Sequence, residues 1–248
     1  MMTEVLKINQ LTGGYHPKRP ILHNVDFSVN AGEIVALIGL NGAGKSTTIK
    51  HILGLLDATS GSITINGQTF QNAQNTYRQS YAYIPETPIL YDELTLWEHL
   101  ELTSLAYGIE TNVFKERAEQ LLKEFKMVKM KKWFPSHFSK GMRQKVMIMS
   151  AFLTQPPVYI VDEPIVGLDP VGIQSFLDLI SDVKNQGAAV LMSTHILATA
   201  ERYCDRFVIL HHGKVVLYGT LAEMRQTLKM PNATLDEIYL EMTKDEMA

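Results

Sequence analysis

Gly39-Leu40-Asn41-Gly42-Ala43-Gly44-Lys45-Ser46 is the stretch that decides the fold. It fills every fixed position of the phosphate-loop pattern, in which glycines let backbone N–H groups turn inward around phosphate oxygens. In that pattern the Lys45 ammonium meets the β- and γ-oxygens, and the Ser46 hydroxyl ligates Mg²⁺. The flanks match. Ile34-Val35-Ala36-Leu37-Ile38 is a continuous apolar run, as expected of a parallel strand buried on both faces. Residues 47–56 read as a helix, whose N-terminus would add its orphan N–H groups to the anion site. A glycine-rich turn with a chance Lys-Ser pair lacks that setting.

Further along, Val158-Tyr159-Ile160-Val161 is an apolar strand that ends in Asp162-Glu163. Strand ends of this kind lie at the carboxyl edge of a parallel sheet, where α/β folds place ligands. Taken alone, the pair could be an ordinary strand end before a turn. Beside a phosphate loop, Asp162 is the candidate to hold the metal and its water shell, and Glu163 the candidate general base. Ser139 precedes an amphipathic helix as a good N-cap, so Ser139-Lys140-Gly141-Met142 opens a second helix N-terminus with anion-binding character. Gly167-Leu168-Asp169-Pro170 follows the carboxylates, and Ser193-Thr194-His195 ends the next apolar strand. A lone strand-end histidine is more often structural than catalytic; only the other motifs reverse that expectation for His195.

The first thirty residues alternate apolar and polar positions, as at Val25, Phe27 and Val29, the period of half-buried antiparallel strands. Asn66-Gly67 marks a turn, and residues 81–84 form a strand. From residue 92 the texture is helical. Thr95-Leu96-Trp97-Glu98 is a capping box, with Leu96, Leu100, Thr103 and Tyr107 on one stripe. Phe114, Ala118, Leu121, Leu122 and Phe125 form a second amphipathic helix, and Met142, Val146, Met149 and Leu153 a third, stopped by Pro156-Pro157. Strand texture returns at 158–161, 188–192 and 207–210, with His212-Gly213 turning a hairpin into 214–218. Leu235, Ile238, Tyr239 and Met242 are expected to pack on the core. The expected organisation is a core of residues 1–86 and 157–220, an inserted helical lobe at 87–156 and a C-terminal extension at 221–248.

Composition excludes several classes. The 248 residues carry 23 basic and 26 acidic side chains, a net charge of −3, which gives no electrostatic footprint for nucleic acid. No apolar run approaches the ~18 residues that a membrane span needs. The opening MMTEVLKINQ lacks the layout of a secretory signal, and the single Cys204 fits a reducing compartment, as a small apolar residue rather than a reactive thiol.

The order of phosphate loop, helical insert, Ser-x-Gly signature, Asp-Glu strand, Gly-Leu-Asp and Ser-Thr-His resembles the ATP-binding subunits of ABC transporters across essentially the whole chain. The segments YIPETPILYDELTLWEHLELT, WFPSHFSKGMRQKVMIM and MSTHILATAERYCDRFVIL look most like the ATPase subunit of Ecs-type transporters. The resemblance implies an α/β fold with a phosphate-loop (RecA-like) parallel sheet core, an N-terminal antiparallel β subdomain and the inserted helical lobe. It implies a head-to-tail homodimer that binds ATP and Mg²⁺ and hydrolyses the nucleotide on the cytoplasmic face of a membrane. Within each chain, Tyr15 would stack on adenine, Gly39 to Ser46 and Thr47 would hold the phosphates, and Ser46, Asp162 and Glu86 would surround the metal. Glu163, Glu86 and His195 would serve catalysis. Ser139, Lys140, Gly141, Met142 and Asp169 would reach the nucleotide of the other chain. Residues just after Glu86 would receive an integral-membrane permease, of Ecs type by the same resemblance, and the transport direction would be export.

The sequence departs from the family pattern where Glu86 stands in place of the usual Gln, and where Lys140 and Met142 replace Gly and Gln of Leu-Ser-Gly-Gly-Gln. Two other functions compete. A soluble ABC ATPase working on DNA or ribosomes would carry coiled-coil insertions, tandem units or basic extensions. A nucleotide-gated regulator without turnover would lack the Glu163 and His195 pair.

Overall fold

The computed structural model describes residues 3–244. Apolar periodicity and burial agree along the chain. The alternating N-terminal residues form β1 (Glu4–Gly13) and β2 (Leu22–Asn30), which pair antiparallel, and β4 (Ala58–Ile65) joins β1 on its other side. Leu6, Ile8, Val25, Phe27 and Val29 face inward and are buried. Asn66 and Gly67, with φ of 49° and 74°, turn the chain after β4 in the left-handed pair of conformations that a tight hairpin turn demands.

The second sheet carries the site. Its order is β5 (Tyr81–Ile84), β6 (Val158–Asp162), β7 (Ala189–Ser193), β3 (Ile34–Ile38), β8 (Arg206–His211) and β9 (Lys214–Gly219). All neighbours are parallel except the β8–β9 hairpin. Every residue of β3, β6 and β7 is buried, which explains their unbroken apolar runs. The strands set the carboxyl ends of β5, β6, β7 and β3 side by side.

The helix after the phosphate loop, α1, spans Lys45–Ile52, not 47–56. It starts earlier because Gly44 adopts φ 111° at the N-cap, and it ends earlier because Gly54 turns the chain at φ 71°. The short α2 (Gln74–Gln79) precedes β5. Between β5 and β6 lie α3 (Leu96–Tyr107), α4 (Thr111–Glu124) and α5 (Lys140–Thr154). The capping box at Thr95 and Glu98 is formed, and Leu96, Leu100, Phe114, Ala118, Leu121, Leu122, Phe125, Val146, Met149 and Leu153 share one core with β5 and β6. Gln155 closes α5 in the left-handed region before Pro156-Pro157.

Asp169 caps α6 (Pro170–Asn185), and α7 (Leu197–Tyr203) follows β7. At the C-terminal end α8 (Leu221–Leu228) and α9 (Leu235–Met242) bury Met224, Leu235, Ile238 and Tyr239 against β3 and β8 side chains. The last four residues of the expected C-terminal extension lie outside the described residues, as do Met1 and Met2. Cys204 is half-buried beside two apolar clusters, and burial pushes its thiol up to about 12, so it is inert at neutral pH. No helix among the described residues is long and apolar enough to cross a membrane.

Candidate functional site

Four adjacent parallel strands end on one cleft of about 610 Å³, lined by Gly39, Leu40, Asn41, Lys45, Ser46, Glu86, Asp162, Glu163 and His195. β3 delivers the phosphate loop, β5 delivers Pro85 and Glu86, β6 delivers Asp162 and Glu163, and β7 delivers Ser193 to His195.

The loop is shaped by its glycines and braced from behind. A Cβ on Gly44 would stand 2.7 Å from Leu22 and in a conformation that side chains rarely adopt, so only glycine turns this corner. The β8–β9 turn supports the loop through Gly213 N–H, which donates to the Ala43 carbonyl at 2.9 Å. Lys45 is buried, and its ammonium donates to the Gly39 carbonyl at 2.7 Å. The N-terminus of α1 has no side-chain cap and no acidic residue in its first turn. Its first N–H groups therefore face the cleft with the positive end of the helix dipole.

Asp162 and Ser193 are directly paired in the β6–β7 ladder, and the Ser193 hydroxyl donates to the Asp162 carboxylate. Burial raises the Asp162 pKa; the Ser193 hydrogen bond opposes this, Glu86 adds to it and Lys45 opposes it. A cation beside Asp162 would offset that burial cost. Ser46, Asp162 and the exposed Glu86 all line the cleft and are oxygen donors of the hard type that Mg²⁺ takes. Among the described residues no group of three or more His, Cys, Asp and Glu forms a ready-made cage. A magnesium ion that draws most of its ligands from phosphate and water needs none.

Glu163 follows at φ 46°, the left-handed region that a non-glycine residue enters only at a cost. Its N–H donates to both the carbonyl and the hydroxyl of Ser193, each at 3.2 Å. Its Oε2 accepts from the His195 backbone N–H at 3.3 Å and sits 2.8 Å from His195 Nδ1. The Glu163 side chain is 11% exposed and that of His195 61%.

The remaining sequence candidates are elsewhere. Tyr15 is 60% exposed beside α1, where Lys50 donates to its hydroxyl at 3.0 Å and lowers its pKa. Thr47 is buried in α1. Ser139 is exposed and accepts from the Met142 N–H at 3.2 Å, capping α5. Gly141 packs so closely on the turn before α6 that a Cβ would lie 2.3 Å from the Gly167 carbonyl oxygen. The Lys140 stem covers Gly167, whose own Cβ would meet Lys140 Cδ at 3.5 Å. Asp169 is occupied within its own chain: one oxygen accepts from Gly172 N–H at 2.6 Å, the other from Lys145 at 3.0 Å, and both interactions lower its pKa. Sequence reading missed Ser193 as the residue that holds Asp162 and Glu163 together, although it stood in a quoted motif. It also missed Gln144 and Lys145, whose signal was polar residues on the buried side of an amphipathic helix.

Residues 22–166 match the ABC transporter family, more than half of the chain. The chain belongs to the ABC transporter family. It is 57% identical over 242 residues, 98% of each chain, to "ABC-type transporter ATP-binding protein EcsA" of Bacillus subtilis (strain 168). It is 34% identical over 213 residues to "Lantibiotic transport ATP-binding protein SrtF" of Streptococcus pyogenes, covering 86% of this chain and 90% of that one. A solved "Structure of ATP binding subunit of ABC transporter" superposes with a TM-score of 0.94 at 54% identity, covering 96% of this chain and 99% of the other. The chain is thus an ATP-binding subunit of the ABC family, with that family's fold and its ATPase activity coupled to transport.

Proposed function

We propose that two copies of this chain close head to tail over two ATP molecules and drive an integral-membrane permease that exports its cargo. The observation that carries this reading is a division of labour. The phosphate loop, Glu86, Asp162, Glu163 and His195 line one cleft, whereas Ser139, Lys140, Gly141, Met142 and Asp169 do not. A second copy is the natural source of the missing wall, with the exposed Ser139 turn and the N-terminus of α5 offered to its neighbour's nucleotide.

In this reading Lys45 leaves the Gly39 carbonyl for the β- and γ-phosphates, and the N–H groups of the loop, Ser46 and Thr47 cradle them. Tyr15 stacks on adenine, placed by Lys50. Ser46, Asp162 and Glu86 would hold Mg²⁺. The ion supplies charge neutralisation on the phosphate oxygens. Glu163 takes the proton of the attacking water, and His195, tethered to Glu163, donates to the γ-phosphate.

The permease docks on residues 87–96, where Ile89 is 78% exposed and Tyr91 63%. These two exposed apolar side chains are open to a partner. The tether makes the chain peripheral on the cytoplasmic face. Export is the direction that the Ecs-type resemblance supports, and the lantibiotic relative's name speaks of transport alone. Purification from membranes in mild detergent tests the partner: an integral-membrane protein of permease type should co-purify and raise phosphate release. Recovery with DNA or ribosomes instead would overturn the reading.

A further inference from the structure

Three consecutive residues of α5 tie the turn at Ser139 to two other segments, one of them at both ends. Successive helical residues point about 100° apart, so Arg143, Gln144 and Lys145 fan outward in different directions. Arg143 Nη2 meets Asp92 Oδ1 at 3.2 Å, Gln144 Nε2 donates to the Pro85 carbonyl at 3.1 Å, and Lys145 Nζ donates to Asp169 Oδ2 at 3.0 Å. Pro85 and Asp92 bracket the segment that contains Glu86, so that segment is tied at both ends to the first turns of α5.

The ties differ in strength. Asp92 is 71% exposed and its ion pair is a weak surface contact. Gln144 is 1% exposed, and its Oε1 has no hydrogen-bond partner among the described residues. A buried amide with one end bonded and the other end idle is costly, and such groups call for an explanation beyond packing. Pro85 cannot donate in return, because proline lacks an N–H.

We propose that Gln144 is a positioning residue: it sets the placement of Glu86 from the signature turn, and its idle Oε1 is the acceptor for a backbone N–H of segment 86–92 when that segment shifts. Ser139 and Glu86, which serve different ATP molecules in the closed dimer, are thereby linked through one side chain. The inference rests on the role given to Glu86 above.

Gln144→Met keeps length and helix propensity while removing both polar ends. In the nucleotide-free full chain, amide hydrogen exchange in segment 86–92 should quicken about fivefold or more, with β3 and α6 unchanged. The KM for ATP should stay within about twofold while kcat falls about tenfold. In a Glu86→Ala background the same change should cost less than about twofold, because its effect is transmitted through the Glu86 side chain. Arg143→Ala, which removes only a surface ion pair and does not threaten folding, should quicken exchange in the same segment to a smaller degree. Unaltered exchange at 86–92 in both variants, or losses in kcat that multiply between Gln144→Met and Glu86→Ala, would overturn the proposal and leave the role of Glu86 standing. A Glu86→Ala chain with wild-type turnover would remove that role, and this inference with it.

Discussion

His195 Nδ1 lies 2.8 Å from Glu163 Oε2, so the residue past the end of β7 holds the carboxylate past the end of β6. The contact is possible because β6 and β7 are adjacent parallel strands and Asp162 pairs with Ser193 in register. It fixes one oxygen of Glu163 and leaves the carboxylate at the cleft as a base with a defined orientation.

Removing that base should leave nucleotide binding intact. Glu163→Gln is expected to lower turnover by roughly 10²–10⁴-fold, the usual range for a lost general base. It should also accumulate an ATP-bound dimer on size exclusion. His195→Ala should lower kcat too, and turnover within a few-fold of wild type in Glu163→Gln would remove Glu163 from the role.

Asp162 should trade stability for function. Its pKa is raised mainly by burial, so the folded chain binds the proton more tightly than the unfolded chain. The burial penalty is absent below the ordinary value of 3.8, grows as pH rises through the raised folded value, and is fully present above it. Asp162→Asn keeps an acceptor for Ser193 and removes the charge. The nucleotide-free variant should melt no lower than wild type at neutral pH, with any advantage vanishing as pH falls through that window. Mg²⁺-dependent ATP hydrolysis should be lost. A melting temperature several degrees below wild type at neutral pH would show that the charge stabilises the empty site.

Gly141 should be needed for packing as well as for any nucleotide contact. Alanine favours a helix interior by up to ~1 kcal/mol, but here its Cβ would stand 2.3 Å from the Gly167 carbonyl oxygen, which is backbone and cannot swing away. Overpacking of this kind costs about 1–3 kcal/mol, so Gly141→Ala should lower the melting temperature by several degrees without nucleotide present. An unchanged melting temperature would mean that the turn before α6 yields freely.

Much of this was legible in the sequence because its signals are local. The phosphate loop, the capping box at Thr95, the Asn66-Gly67 turn and the all-buried β3 and β6 each carry their cause within a few residues. α6 was not assigned from the sequence, although Asp169 as N-cap, Pro170 at its first position, and Phe176, Leu177, Ile180 and Val183 on its buried face are signals of the same local kind. Asp169 and Pro170 were read only as part of the Gly-Leu-Asp motif. What was not legible depends on strand order. Ser193 beside Asp162, Gln144 beneath Pro85, and Gly213 behind Ala43 are neighbours only once β5, β6, β7, β3 and β8 are laid side by side. The helix limits at 45–52 were missed because two glycines with positive φ set them, and φ is invisible in composition.

The central claim, that each ATP is shared between Lys45 of one copy and Ser139 of the other, is tested most directly by mixing two inactive variants. Lys45→Ala and Ser139→Arg chains should each show little hydrolysis alone. A head-to-tail heterodimer of the two rebuilds one intact site, from Lys45 of the second chain and Ser139 of the first. An equal mixture should therefore recover phosphate release well above either variant, towards about a quarter of wild-type sites for random pairing. A mixture no more active than the mean of its two components would contradict the claim.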